Sequence, residues 1–264
     1  MYPYMNFFDH SIPSYSVMII LGIVIGILFG LLKSKSAHIP KEDMFYMYCF
    51  AVIGVIVGGK LLYMLTSIKE IIIYREVIFK NIENFSKWMT GGFVFYGSLI
   101  GAILMVLIYC KKYKINMDNA LPVMITSIPL IHSIGRIGCL LAGCCYGREY
   151  HGFGHIYMKN STIAPTDIPL FPVQIVESFL NLVIFFILLA LLKKKFSYKR
   201  FMGIYFCMYA VVRFILETQR GDIARGYIGI LSTSQWISIA LLIIGICFIA
   251  FCRGKTENAE QNKI

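Results

Sequence analysis

Seven stretches of this chain are each long and apolar enough to cross a lipid bilayer, and no other feature restricts its fold as strongly. About 20 mostly apolar residues span the ~30 Å hydrocarbon core as helix, and a helix satisfies its own backbone polar groups where no water can. The stretches lie near 15–32, 44–66, 91–110, 119–135, 175–192, 202–218 and 234–252. The first and last contain no charged residue. The fourth carries Pro122 and Pro129 and runs into His132 and Arg136, so it reads as a proline-broken helix lining protein or a polar cavity. Charged residues make up 15% of the 264, against roughly 25% in an ordinary soluble domain. The expected fold is therefore an all-α membrane protein with seven transmembrane helices.

The formal charge of +11 does not point to nucleic acid, because the basic residues sit in short loops between apolar runs. Such loops orient a membrane protein and favour contact with membrane lipids of negative charge. Fourteen Lys and Arg fall in the loops on one side and nine on the other, with Lys60 and Arg213 inside spans. The compact clusters at 111–114 and 193–200 abut helix ends, where the positive-inside rule acts most strongly. The N-terminus is thus predicted outside and the C-terminus in the cytoplasm, with 136–174 and 219–233 on the outer side. No cleavable signal peptide is read at the start, which lacks a basic region and carries Asp9 and His10. Residues 1–253 read as one transmembrane domain and 254–264 as a polar, disordered cytoplasmic tail. Pro3, Tyr4, Phe7 and Phe8 are predicted to form an amphipathic lead-in at the outer interface, and 67–90 an interfacial helix.

Ionisable groups inside spans are costly and usually serve a site. In the sixth span Tyr209, Arg213, Glu217 and Arg220 are spaced by four, four and three residues, which puts them on one helical face. Arg213 and Glu217 can pair, and Arg220 is left to meet an external anion. The bland alternative is a structural ion pair between helices. A second group, His132, Arg136, Tyr146, Gly147 and Arg148, follows the fourth span, with glycines that let backbone approach closely. An arginine among glycines can offer its planar fork to a phosphate, or snorkel from a packed helix junction. The third is GGFVFYGSLIGA at 91–102, with Tyr96 near the outer end of its span. Together they suggest a pocket for an anionic lipid headgroup.

Cys139, Cys144 and Cys145 cluster in GRIGCLLAGCCYG, with His132, His151 and His155 nearby in sequence. Their spacing matches no standard zinc pattern, so no metal and no cofactor is expected. Redox activity of the adjacent pair is a further alternative. The favoured reading is small residues lining a helix crevice.

The stretches YSVMIILG, GGFVFYGSLIGA, GRIGCLLAGCCYG, FPVQIVES, RFILETQRGD and LSTSQWISI, in that order, resemble the prolipoprotein diacylglyceryl transferase family of bacterial membrane enzymes. The resemblance runs from the first span to the last. It implies seven transmembrane helices with the N-terminus outside, in the bacterial cell membrane. It also implies transfer of the diacylglyceryl group of phosphatidylglycerol to the lipobox cysteine of a prolipoprotein signal peptide. Carried over by position, Arg136 is the arginine that binds lipid phosphate and Gly147 closes the same signature. Arg213, Glu217 and Arg220 are the polar stripe of the sixth helix, and Tyr15 and Tyr209 are matching tyrosines. Tyr96 stands where the family carries a histidine acting as base. Cys139, Ala142 and Cys144 stand in place of two asparagines and a glutamate, and Phe171 in place of a histidine. Beside this catalytic reading stands a re-purposed homologue that binds phospholipid or lipoprotein without transfer.

Overall fold

A computed structural model of the chain describes all residues except 8, 9, 91, 162, 195, 223–225 and 262–264. The elements run β1 (Tyr4–Phe7), β2 (His10–Pro13), α1 (Ser14–Ser34), α2 (Lys41–Thr66), α3 (Ile68–Ile73), α4 (Arg75–Ile78) and α5 (Ile82–Thr90). They continue with α6 (Phe95–Lys112), α7 (Met117–Ala142), α8 (Val173–Leu191), α9 (Tyr198–Glu217), β3 (Tyr227–Ile228), β4 (Leu231–Ser232) and α10 (Thr233–Gln261). Among the described residues six helices are long and apolar enough to span a membrane: α1, α2, α6, α7, α8 and α10. This is a multi-pass membrane protein. The expected sixth span does form a helix, α9, but Lys199, Arg200, Arg213 and Glu217 make it too polar to count with those six.

One local expectation is corrected. The fourth span is a continuous 26-residue helix through both prolines. Thr126 Oγ1 donates to the Pro122 carbonyl at 2.8 Å and Ser127 Oγ to that of Met124 at 2.7 Å, so both buried hydroxyls find partners within the helix. The N-terminal lead-in is the antiparallel hairpin β1–β2, with Phe8 outside the described residues. It is held by Tyr2 N donating to the Leu141 carbonyl at 3.1 Å and Ser14 N to that of Pro3 at 2.9 Å. Within 67–90 lie three short helices, α3 to α5. α10 runs on as helix to Gln261, since an established helix propagates without a new nucleation cost; residues 262–264 lie outside the described ones.

The chain divides into two compact units, Met1–Lys33 with Asp118–Ile264, and Ser34–Met117, where one domain was expected. The second unit is self-contained because α2 and α6 carry matching small-residue repeats, Gly54 and Gly58 against Gly97 and Gly101. A Cβ on Gly58 would strike the Gly97 carbonyl, and one on Gly101 the Gly54 carbonyl. Such close backbone approach substitutes for the hydrophobic driving force that is missing between helices in lipid.

In the first unit α1 crosses α7 at Gly22, Gly26 and Gly138, and α9 packs on α10 through Gly203 and Gly245. α7 is the most enclosed of the six apolar helices. α8 is inverted relative to a soluble amphipathic helix. Gln174, Glu177, Ser178 and Asn181 recur at helical spacing and are buried, whereas Ile175, Phe179, Val183 and Phe186 are exposed. Its polar face turns inward, and that inward face positions the site.

Candidate active site

Glu177 of α8 is 1% exposed and collects cations from two neighbouring helices. Arg136 of α7 meets it with Nη2 at 2.7 Å from Oε1, and Arg213 of α9 brings Nη1 to 3.8 Å from the same oxygen. His132, one turn before Arg136, has Nε2 at 3.6 Å from that oxygen and accepts from Arg136 Nε at 3.2 Å. A buried carboxylate of this kind is tolerable only when paired. Glu177 lies in the FPVQIVES stretch and is not among the residues expected from the sequence. The signal was present, as the one carboxylate of an otherwise apolar span.

The predicted Arg213–Glu217 pair forms at 2.9 Å on adjacent turns of α9. Two serines complete it. Ser232 of β4 donates to Glu217 Oε1 at 3.1 Å, and Arg213 Nη2 donates to Ser234 Oγ at 3.2 Å. Arg213 Nη1 is buried and makes no hydrogen bond, so one guanidinium edge is aimed and unspent.

Arg220 differs from expectation. It is not left free for an external anion, because Nε and Nη2 make a two-pronged contact with Asp222 at 3.0 and 2.9 Å, and its side chain is 2% exposed. Burial opposes its charge, but the hydrogen bonds to Asp222 outweigh that and raise its pKa above the ordinary arginine value. Asp222 was missed because pairing across so short a loop depends on backbone geometry. Three guanidiniums thus face three carboxylates, so among the described residues the cluster is formally neutral. An anion must be held here by directed N–H groups rather than by net charge.

Gly147 works through its backbone. It bridges to Arg220, Gly221 N donates to the Tyr146 carbonyl at 3.1 Å, and Arg148 N donates to the Gln219 carbonyl at 2.9 Å. A Cβ on Gly147 would strike the Phe171 carbonyl. Gly147→Ala is therefore expected to push the 143–148 and 218–222 segments apart and to lower transfer activity at least tenfold while global helicity is kept. Circular dichroism beside an activity assay checks this.

Tyr15 and Tyr209 join the group. Tyr15 lies in the electrostatic field of Arg136 and the three clustered thiols, and the Tyr209 ring is 5.7 Å from that of His132. Tyr96 is half exposed in the first turn of α6 and belongs to the second unit, whereas every residue of the ionic cluster belongs to the first. An apolar crevice opens between α7 and α8, lined by Ile137, Leu140, Gln174, Ile175, Ser178, Phe179 and Leu182.

The thiols, expected as small crevice residues, are gathered by the end of α7. Gly143 has φ +71°, Gly143 N donates to the Leu140 carbonyl at 3.2 Å and Cys144 N to that of Cys139 at 3.1 Å. This is a Schellman ending, and it folds Cys144 back over Cys139. Cys145 follows at φ +57°, unusual for a residue with a side chain. Hydrogen bonds from Cys139 and Cys144, with Arg220 and Arg136 nearby, pull the Cys145 thiol below the usual range, while thiol hydrogen bonds push Cys144 above it. His151 does not join them and pairs instead with Glu149 at 3.0 Å.

Residues 4–251 match the family model described as prolipoprotein diacylglyceryl transferase. The chain belongs to the prolipoprotein diacylglyceryl transferase family. A phosphatidylglycerol–prolipoprotein diacylglyceryl transferase of Clostridium tetani is 38% identical over 239 residues, 90% of this chain and 92% of the relative. A second of that name in Clostridium perfringens is 35% identical over 256 residues, covering 96% and 97% of the two chains. One from Rickettsia canadensis is 30% identical over 248 residues, covering 90% and 92%. The diacylglyceryl transferase match takes in both units and every member of the ionic cluster.

Proposed function

We propose that this chain transfers the diacylglyceryl group of phosphatidylglycerol to the thiol of a lipobox cysteine in a prolipoprotein, in the bacterial cell membrane. The reading rests on family membership and on one structural observation. Arg136 and Arg213 converge on buried Glu177, and Arg213 Nη1 is left without a hydrogen-bond partner.

In the reaction the cysteine sulfur attacks the glycerol carbon that bears the phosphate ester. The carbon–oxygen bond breaks, a thioether forms, and glycerol phosphate departs with the bonding pair. Phosphatidylglycerol enters with one phosphate charge and the leaving group gains a second. Oriented donors that meet charge as it develops are the strongest catalytic device for such a step. Arg136 and Arg213 fill that role, with Glu177 and Glu217 fixing their forks. Arg220, held by Asp222, and the Gly147 backbone close the outer end of the site, and Tyr15 and Tyr209 line it. The apolar crevice between α7 and α8 suits an acyl chain. Tyr96 is the residue that the family resemblance offers as acceptor of the thiol proton.

A seven-span topology with the N-terminus outside accompanies this reading, with α9 as the seventh crossing helix. Its 20 residues give about 30 Å of helix, and its charges are confined to the two ends. Lys199 and Arg200 can snorkel to the cytoplasmic surface, and Arg213 is neutralised by Glu217.

The test is reconstitution of the full chain in phosphatidylglycerol vesicles with a synthetic lipobox peptide. Diacylglyceryl peptide and glycerol phosphate are expected in equal amounts by mass spectrometry. An unmodified peptide beside correctly folded protein and intact lipid would overturn the proposal.

A further inference from the structure

We propose that Cys139, Cys144 and Cys145 hold a zinc ion through three thiolates, with its fourth coordination position open to the thiol of the substrate. The Sγ atoms of the three residues lie within 4.8 Å of one another. Tetrahedral zinc with Zn–S bonds of about 2.3 Å places its sulfurs roughly 3.8 Å apart, so small χ1 rotations close the set. Among the described residues no fourth histidine or carboxylate joins the cluster. Three protein ligands and one open position is the arrangement of catalytic zinc, whereas structural zinc is closed by four.

The surroundings fit a thiolate–metal centre. The Schellman ending that carries Gly143 brings Cys144 over Cys139, and Ser161 Oγ donates to the Gly143 carbonyl at 2.9 Å to hold the turn. Cys145 occupies the left-handed region at φ +57°, a conformation that persists only where surroundings enforce it. Gln174 Nε2 donates to the Cys144 carbonyl at 2.8 Å, and Arg136 Nη1 comes within 4.0 Å of Cys139 Sγ. Such outer contacts orient ligands and tune the metal. Zinc with three thiolates carries one net negative charge, which Arg136 and Arg220 are placed to offset.

The role for the open position rests on the transferase reading. Zinc displaces the three thiol protons to solvent. The lipobox thiol then binds as fourth ligand and releases its own proton to solvent, so that Tyr96 is not required as its acceptor. Its metal-bound sulfur attacks the glycerol carbon, the carbon–oxygen bond breaks toward the phosphate held by the arginines, and the thioether leaves the metal. Chemistry of this kind needs no strong protein base, since zinc itself stabilises the thiolate.

The test uses the full chain purified in detergent under reducing conditions, loaded with Zn²⁺ alone and dialysed. Roughly one tightly held zinc per chain is expected by elemental analysis. Cys145→Ala should lose it, and Cys145→His, which restores a ligand, should retain it, with helicity followed by circular dichroism. Cobalt in place of zinc should give tetrahedral visible bands that shift on adding lipobox peptide but not its Cys→Ser counterpart. No phosphatidylglycerol is present, so these readouts do not depend on turnover. Absent metal with free thiols, or a chain lighter by the hydrogens lost to a disulfide, would overturn the site. Bound cobalt that ignores the peptide thiol would overturn the open position, whereas a peptide response without turnover on lipid would tell against the transferase reading alone.

Discussion

Arg136→Ala is expected to slow diacylglyceryl transfer by about 10²–10³, the usual consequence of removing one directed donor from developing charge. The effect should appear in kcat as well as kcat/KM, because the phosphate gains its second charge only as the carbon–oxygen bond breaks. The alanine variant also leaves Glu177 with only the longer contacts to His132 and Arg213, at 3.6 and 3.8 Å. Stripping a partner from a buried pair commonly costs about 3–5 kcal/mol of stability. Arg136→Lys separates the two effects. It keeps a cation beside Glu177 but loses the fork that reaches carboxylate and His132 together. The lysine variant should therefore fold with near-normal thermal stability and still transfer at least tenfold more slowly. Normal turnover by a folded Arg136→Lys chain would remove the guanidinium from the chemistry.

Glu177→Gln is expected to have the second large effect, although Glu177 need not touch lipid. One carboxylate oxygen aims Arg136 and Arg213 together, and a neutral amide leaves Arg136 buried without a counter-charge while Arg213 keeps only Glu217. A stability loss on the order of 3–5 kcal/mol follows from breaking so buried a set. In chain that remains folded, kcat should fall about 10²-fold while KM for phosphatidylglycerol does not rise. The freed arginines still attract the lipid phosphate, but they no longer meet the leaving oxygen in register. That split distinguishes a positioning residue from a binding one. An unchanged kcat would show that Arg136 and Arg213 are aimed by something else. Mass spectrometry of the lipobox peptide across lipid concentrations, beside thermal unfolding in detergent, reads both quantities.

Much of this site was legible from residue spacing. Arg213 and Glu217 are one turn apart, so helix geometry alone predicts their 2.9 Å contact. Arg136 stood out as a charge following an apolar run, and it lies at the centre of the cluster. Glu177 was equally readable by the same rule but was passed over inside a stretch noticed for its resemblance. Arg220 was misread because Asp222 meets it only through the turn after α9, and the shape of a turn follows from backbone dihedrals, not from side-chain period. The clustering of Cys139, Cys144 and Cys145 was hidden for a related reason. Their spacing fits no standard metal pattern, and only the left-handed Gly143 and Cys145 bring the sulfurs together. The prolines of α7 misled in the opposite direction, since the helix runs on through both of them.

The amino-acid pattern alone determined that the chain crosses a membrane as helices and which residues put charge inside it. Apolar length and the cost of burying charge act locally, and a reader of the sequence can weigh both. Tertiary structure alone decided that one carboxylate of α8 serves arginines of both α7 and α9, and that three thiols share one corner. Those partnerships depend on which helix faces pack together and on the turn that Gly143 opens at the end of α7. Helical period fixes the face on which a charge lies, but the face it meets is chosen only when the helices pack.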